Sequence, residues 1–212
     1  KGNRSLNSQK NYEADLSFHY HCCHAMFDVS GFYNSIDDYI YLAPTGNYTE
    51  DNLLIYQYGQ TNALLYGGEV SFEINPTEAF RAGLTWSGTT GRRKDGSNLP
   101  FIPHDKLKGK LAYTFPGMGF VSKPSVQLGS TYAFAQKEPA RFETETGDYW
   151  LLDAGIHSEI VFNNQKMFLG LSVQNLFNEK YIDHLSTMKP LGYYHMGRNF
   201  IVTLKIPFNY NF

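Results

Sequence analysis

The chain has 212 residues, with 18 basic against 20 acidic side chains and a formal charge of −2, a balance that leaves no electrostatic footprint for nucleic acid. Mean hydropathy is −0.39, and no apolar run approaches the roughly 18 residues that a spanning helix needs. Aromatic residues reach 16%, glycines number 19, and the only cysteines, Cys22 and Cys23, are adjacent, which excludes a disulfide framework.

Nine segments alternate apolar and polar residues with a period of two, the signature of strands. The first, 12–20, sets Tyr12, Ala14, Leu16, Phe18 and Tyr20 against Glu13, Asp15, Ser17 and His19. In 27–34, Phe27, Val29, Gly31 and Tyr33 oppose Asp28, Ser30, Phe32 and Asn34, and in 64–73, Leu64, Tyr66, Val70 and Phe72 oppose Glu69, Ser71 and Glu73. Segment 80–86 sets Phe80, Leu84 and Trp86 against Arg81 and Thr85, and 107–115 sets Leu107, Leu111, Tyr113 and Phe115 against Lys108, Lys110 and Thr114. Segments 126–134, 150–160 and 167–177 behave alike, and the last, 200–212, alternates to its terminal Phe212. Thirteen residues at about 3.3 Å each give that strand roughly 43 Å.

Across all nine segments one face carries no Asp, Glu, Lys or Arg. A soluble sandwich also alternates. Long strands, aromatic belts and unequal loops favour instead a transmembrane barrel, apolar outside and polar within, with short turns at one end. The predicted short connections fall near 21–25, 75–78, 116–123 and 162–166, and the longer ones near 43–52, 90–103, 137–147 and 178–196. Short turns face the periplasm and long loops the exterior. With the last strand running toward the periplasm, nine strands put residues 1–9 outside, whereas a complete barrel has an even strand number and starts at the periplasm. The chain is therefore expected to be a C-terminal piece, one unit over 1–212, all-β and antiparallel.

Several motifs resemble the C-terminal part of TonB-dependent outer-membrane receptors. Residues 1–8, "KGNRSLNS", are similar to a loop before a late barrel strand, with Arg4 and Ser8 departing from the family pattern. "NALLYGGEVSFE" (62–73) and "LPFIPHDKLKG" (99–109) resemble two further strand motifs. "LSVQNLFNEKYIDHLS" (171–186) and "GRNFIVTLKIPF" (197–208) are the most specific matches. The resemblance implies a barrel of about 22 strands, as in plugged outer-membrane transporters, with the plug and first strands outside this chain. It implies outer-membrane uptake in a Gram-negative bacterium, energised by TonB–ExbB–ExbD, of an iron–siderophore, haem or other transition-metal chelate, with cobalamin or a glycan as the alternative cargo. No intrinsic cofactor and no enzymatic activity are expected, and a soluble ligand-binding or interaction domain is the competing class. Phe208, Tyr210 and Phe212 resemble the family's assembly signal, and Pro207 is expected at the periplasmic rim because it cannot donate to the ladder.

Candidate sites follow. The loop 184–199 collects His184, Met188, Tyr193, Tyr194, His195 and Met196, donors that suit copper, haem iron or an aromatic chelate; the alternative is an aromatic girdle and loop packing. Loops 41–52 and 87–98 are candidate lids, and Arg92, Arg93 and Lys94 would attract an anionic chelate or form a solvated charge run. On the polar face Glu69, Arg81, Lys108, Lys110, Asp153, His157 and Glu159 are expected to hold the plug, or else to line the substrate path. His19, His21, Cys22, Cys23 and His24 form a His/Cys cluster expected to be a surface turn without metal, with a strained vicinal disulfide conceivable in an oxidising periplasm. Ser158 beside His157 lies on the wrong face for a hydrolytic pair.

Overall fold

A computed structural model describes residues 5–162 and 165–208. Nine strands run in chain order: β1 (Lys10–His21), β2 (Ala25–Tyr48), β3 (Leu54–Ile74), β4 (Phe80–Arg93), β5 (Lys106–Thr114), β6 (Val121–Ala133), β7 (Tyr149–Phe162), β8 (Gln165–Gln174) and β9 (Asn199–Lys205). They form one sheet in which every strand pairs with its sequence neighbours, and every pairing is antiparallel. Among the described residues no helix is long and apolar enough to cross a membrane, which says nothing of crossing by strands.

Residues directly opposite in a ladder share a face, so register shows whether the nine apolar stripes join. They do. Tyr20 faces Phe27 and Phe27 faces Phe72; Phe72 faces Leu84, and Val70 faces Trp86. Leu111 faces Leu128, Val126 faces Ile156, Ile156 faces Leu171 and Leu171 faces Val202. This continuous face stays open: Leu16 is 80% exposed and Val202 73%. A soluble sandwich would bury such a stripe against a second sheet, and the described residues contain only one sheet.

The turn ends are asymmetric. Tight connections at 22–24, 75–79 and 115–120 mark one end, and the stretches 94–105, 134–148 and 175–198 mark the other. At that second end the 41–52 region is not the expected loop. β2 continues to Tyr48 and β3 begins at Leu54, so 24- and 21-residue strands build a tall hairpin with its tip near 49–53. β3 pairs with β4 only from Ala63 to Ile74, so the hairpin stands beyond the neighbouring strand. Two register shifts, between Ile36 and Tyr39 and between Pro44 and Tyr48, absorb Pro44, which would otherwise break the ladder. At the chain's other edge β9 stops at Lys205, short of the thirteen residues expected. The cause is Pro207, which has no N–H to donate; its carbonyl instead accepts from the Gln165 side chain. Phe208 is 84% exposed, and Tyr210 and Phe212 lie outside the described residues.

The small buried core sits where the 94–105 stretch folds back on the polar face. Leu99 packs with Ile36 and Ala63, flanked by Tyr39, Leu65 and Ile102. Gly91 makes room for it, because a Cβ there would stand 2.4 Å from Ile102 Cδ1.

Candidate functional site

The long-loop end is a locked platform. The 175–198 segment leaves β8 through Asn175, whose buried side chain clamps the corner: its Oδ1 accepts from Glu179 N at 2.7 Å and its Nδ2 donates to Glu179 O at 2.9 Å. Asp153 Oδ1 takes the Asn175 backbone N–H at 2.8 Å. Asn178 Oδ1 then accepts from Arg198 N at 2.9 Å, across the base of the segment. A side chain at Gly197 would meet that oxygen at 2.5 Å. Asn175 and Asn178, both at positive φ, thus tie the start of the segment to its end, which accounts for the asparagines in "NLFN" and the glycine of "GRN".

Farther out, two buried histidines join three segments. His104, 3% exposed, donates through Nδ1 to Phe134 O at 2.5 Å and accepts the His184 N–H at Nε2, 3.1 Å away. Burial holds its pKa below the usual histidine value. The His184 ring is 2% exposed. Its Nδ1 lies 2.8 Å from Thr146 Oγ1 and 3.3 Å from Lys189 Nζ; an ammonium only donates, so Nδ1 accepts and Nε2 points to Glu143, 3.8 Å off. The Glu143 side chain is itself only 7% exposed. Burial alone would raise its pKa, but His184 and the N–H groups of Ala140 and Phe101, each 3.0 Å away, outweigh that and hold it low. Burial also lowers the pKa of Lys189, against the pull of Glu143.

Asp183 fixes the same segment to the sheet. Its Oδ2 takes Lys106 Nζ at 2.9 Å and the Tyr149 hydroxyl at 2.9 Å, and its Oδ1 takes Leu185 N at 3.0 Å. Burial works to raise its pKa; these three donors prevail and bring it down to about 2. Tyr181 stacks on His195, rings 5.0 Å apart and 9° from parallel. A cleft of about 350 Å³ opens here, lined by Lys106, Tyr149, Tyr181, Asp183 and His195 among others.

The predicted loop donors therefore divide. His184 is buried with its ring nitrogens facing protein groups, whereas Met188, Tyr193, Tyr194, His195 and Met196 are exposed on the outer surface. Arg92 and Arg93 belong to β4 rather than to a loop. Arg92 pairs with Glu138 at 3.1 Å. Arg93 donates to Thr61 Oγ1 at 3.2 Å, lies 3.6 Å from Asp95 and sits over the Tyr41 ring. It borders a cleft of about 630 Å³ between the tall hairpin and the loop residues Arg141 and Phe142. Lys94 reaches back to Asp37 at 3.1 Å. The run "LPFIPH" (99–104), which the sequence offers as part of a family motif, also carries the signal for this platform, because it is too apolar for a loop in water, and Leu99 and His104 are buried.

On the polar face of the sheet Arg81 lies 3.5 Å from Glu73 and donates to Asn75 Oδ1 at 3.2 Å. Glu69, Lys108, Lys110 and Glu159 have no ion-pair partner among the described residues. His157 stacks on Phe168, and its Nδ1 has no hydrogen-bond partner among the described residues. Ser158 donates to backbone carbonyls at 122 and 159 and turns away from His157, so the two form no catalytic pair. The His/Cys cluster is split too: His19 and His21 lie within β1, and only Cys22, Cys23 and His24 make the turn. Both thiols are free and exposed.

Comparison with known proteins matches this architecture. The family model described as TonB dependent receptor-like, beta-barrel covers residues 1–176. Among solved structures, the copper transporter OprC superposes with a TM-score of 0.82 at 17% identity, over 95% of this chain and 31% of that one. A mutant of the ferric enterobactin receptor PfeA from Pseudomonas aeruginosa gives 0.70 at 19% identity, over 96% and 32%. The FrpB iron transporter from Neisseria meningitidis gives 0.67 at 14%, over 96% and 32%. The chain thus spans about a third of the length of the structures it matches. An open nine-stranded sheet with one unbroken apolar face is what part of a barrel looks like, and the chain belongs to the TonB-dependent receptor-like β-barrel family.

Proposed function

We propose that this chain forms the C-terminal part of an outer-membrane receptor that takes up a scarce transition-metal chelate, an iron–siderophore, haem or a related complex, with energy delivered through TonB–ExbB–ExbD. The observation that carries the reading is the apolar face that runs unbroken across nine strands and stays open, as lipid contact requires. The opposite face then lines the lumen. Its unpaired Glu69, Lys108, Lys110 and Glu159, with Arg81, Asp153 and His157, are suited to hold a plug by ion pairs and hydrogen bonds, since large barrels of this type are plugged.

The cargo class draws on two supports. The similar structures are of a copper transporter, an iron transporter and a ferric enterobactin receptor, and the outer platform exposes thioether, phenol and imidazole groups at Met188, Tyr193, Tyr194, His195 and Met196. The chelate is cargo and not a resident cofactor. Arg93 and Arg141 beside the larger cleft supply positive charge for an anionic complex.

The test is whole-cell uptake by the full receptor. Cells carrying it should accumulate labelled ferric or cupric chelate, and deletion of tonB or a protonophore should abolish accumulation. Accumulation that is indifferent to both would sink the reading. Replacing Met188, Tyr193, Tyr194, His195 and Met196 together with Ser or Gly, while leaving the buried His184 in place, should weaken chelate binding at least tenfold without lowering receptor levels. Unchanged affinity would remove that surface from the binding site.

A further inference from the structure

We propose that His19, His21 and Asp28 form a binding site for a divalent first-row transition-metal ion, on the polar face at the tight-turn end of the sheet. The backbone sets it up. His19 and His21 are two residues apart in β1, so both rings leave the same face while Tyr20 leaves the other. Asp28 is the β2 register partner of His19, which puts a carboxylate beside the two imidazoles. The rings meet edge-on, with centroids 6.4 Å apart.

The donor atoms already converge. His19 Nδ1 stands 2.8 Å from Asp28 Oδ1, and His21 Nε2 stands 3.0 Å from the same oxygen. One ligand atom from each residue lies within 4.8 Å of the other two. Zinc bonds of about 2.0–2.1 Å in a tetrahedron hold neighbouring ligand atoms about 3.3 Å apart, so each of the two N···O distances needs to open by only a few tenths of an ångström, with the exposed imidazoles free to adjust their mutual spacing. Two imidazoles and a carboxylate also suit the harder members of the first-row series. Three protein ligands leave a fourth coordination position for water or an incoming donor. No Lys or Arg pairs with Asp28 among the described residues, so no fixed cation competes for the carboxylate. Neighbouring groups are not needed: the His24 ring is turned to Asn75 O at 3.2 Å, and the two thiols lie in the turn. The site stands whether or not the chain serves in uptake.

The experiment uses the full-length receptor purified in detergent, stripped with a chelator and titrated with Zn(II), with Co(II) as an optical probe. Wild type should bind one more Zn(II) than the His19→Gln, His21→Gln double variant, and its Co(II) spectrum should show d–d bands that the variant lacks. Each single variant, His19→Gln, His21→Gln and Asp28→Asn, should weaken Zn(II) binding tenfold or more, whereas His24→Gln and the paired Cys22→Ser, Cys23→Ser change should leave it unaltered. The His21 side chain is 55% exposed, so His21→Gln stays readable even if Asp28→Asn fails to fold. An isotherm unchanged in the double histidine variant overturns the proposal, as does loss of the ion in the cysteine variant.

Discussion

Single side chains decide how firmly the outer platform is held, and Asp183 is the clearest case. Its folded pKa of about 2 lies below the ordinary 3.8. A depressed carboxylate contributes stability that is fully present above the unfolded pKa and is lost as pH falls through the folded one. Anchoring of 175–198 should therefore hold above pH 4 and fail between about 4 and 2, with about 2 kcal/mol at stake from the size of the shift. Asp183→Asn keeps the shape but removes the charge facing Lys106, so the segment should open more readily at neutral pH and lose most of its acid sensitivity. Hydrogen exchange across 175–198, followed from pH 6 to pH 2 in both proteins, reads this directly. Equal exchange in variant and wild type at pH 6 would deny Asp183 its anchoring part. The sequence displayed His184 as an apparent surface donor because burial of a loop residue depends on contacts from 104, 143, 146 and 189, which no local pattern encodes.

Strand existence was legible and strand ends were not, for a physical reason. Alternation marks a residue only where the two faces meet different surroundings. Within the spanning part of the sheet they do, and all nine segments appear in the expected order. In the projecting hairpin both faces meet water and loops, so the pattern fades. There Pro44, Gly46 and Asn47 read as turn residues, although bulges and a positive φ of 77° at Gly46 keep them in the hairpin. Elsewhere a glycine is set by contact. A Cβ on Gly67 would stand 2.3 Å from Gly88 O and 2.9 Å from the Phe32 ring. The carbonyl cannot swing aside, so Gly67→Ala must push β3 and β4 apart at the middle of their ladder. It should cost roughly 1–3 kcal/mol, in the range of other overpacked sites, and lower the temperature at which the folded barrel loses its fast gel migration. Gly147, with nothing near its Cβ position, is the control that should tolerate alanine.

At the scale of the molecule, a sheet with one open apolar face has two stable fates: a second sheet covers that face, or lipid does. The strand count, the loop asymmetry and the register all point to lipid, and adjacent residues in β6 put the point to a test. Leu128 lies mid-strand on the apolar stripe between Leu111 and Ala154, and Gln127 lies on the polar face between Ala112 and Gly155. Both are exposed in the sheet, so neither substitution collides with a packed core. Lysine on a lipid-facing position near the bilayer midplane costs about 2–4 kcal/mol, whereas a lumen position tolerates it. Leu128→Lys in the full receptor should therefore reduce the folded, heat-modifiable fraction in outer membranes several-fold, and Gln127→Lys should leave it near wild type. Were the apolar face covered by protein, Leu128→Lys would instead disrupt a partner's packing and release soluble, misassembled chain even in detergent. Equal tolerance of the two lysines would mean that neither face meets hydrocarbon, and the uptake proposal would lose its footing. The contrast depends on one step along a strand, about 3.3 Å, separating a position in lipid from one in water.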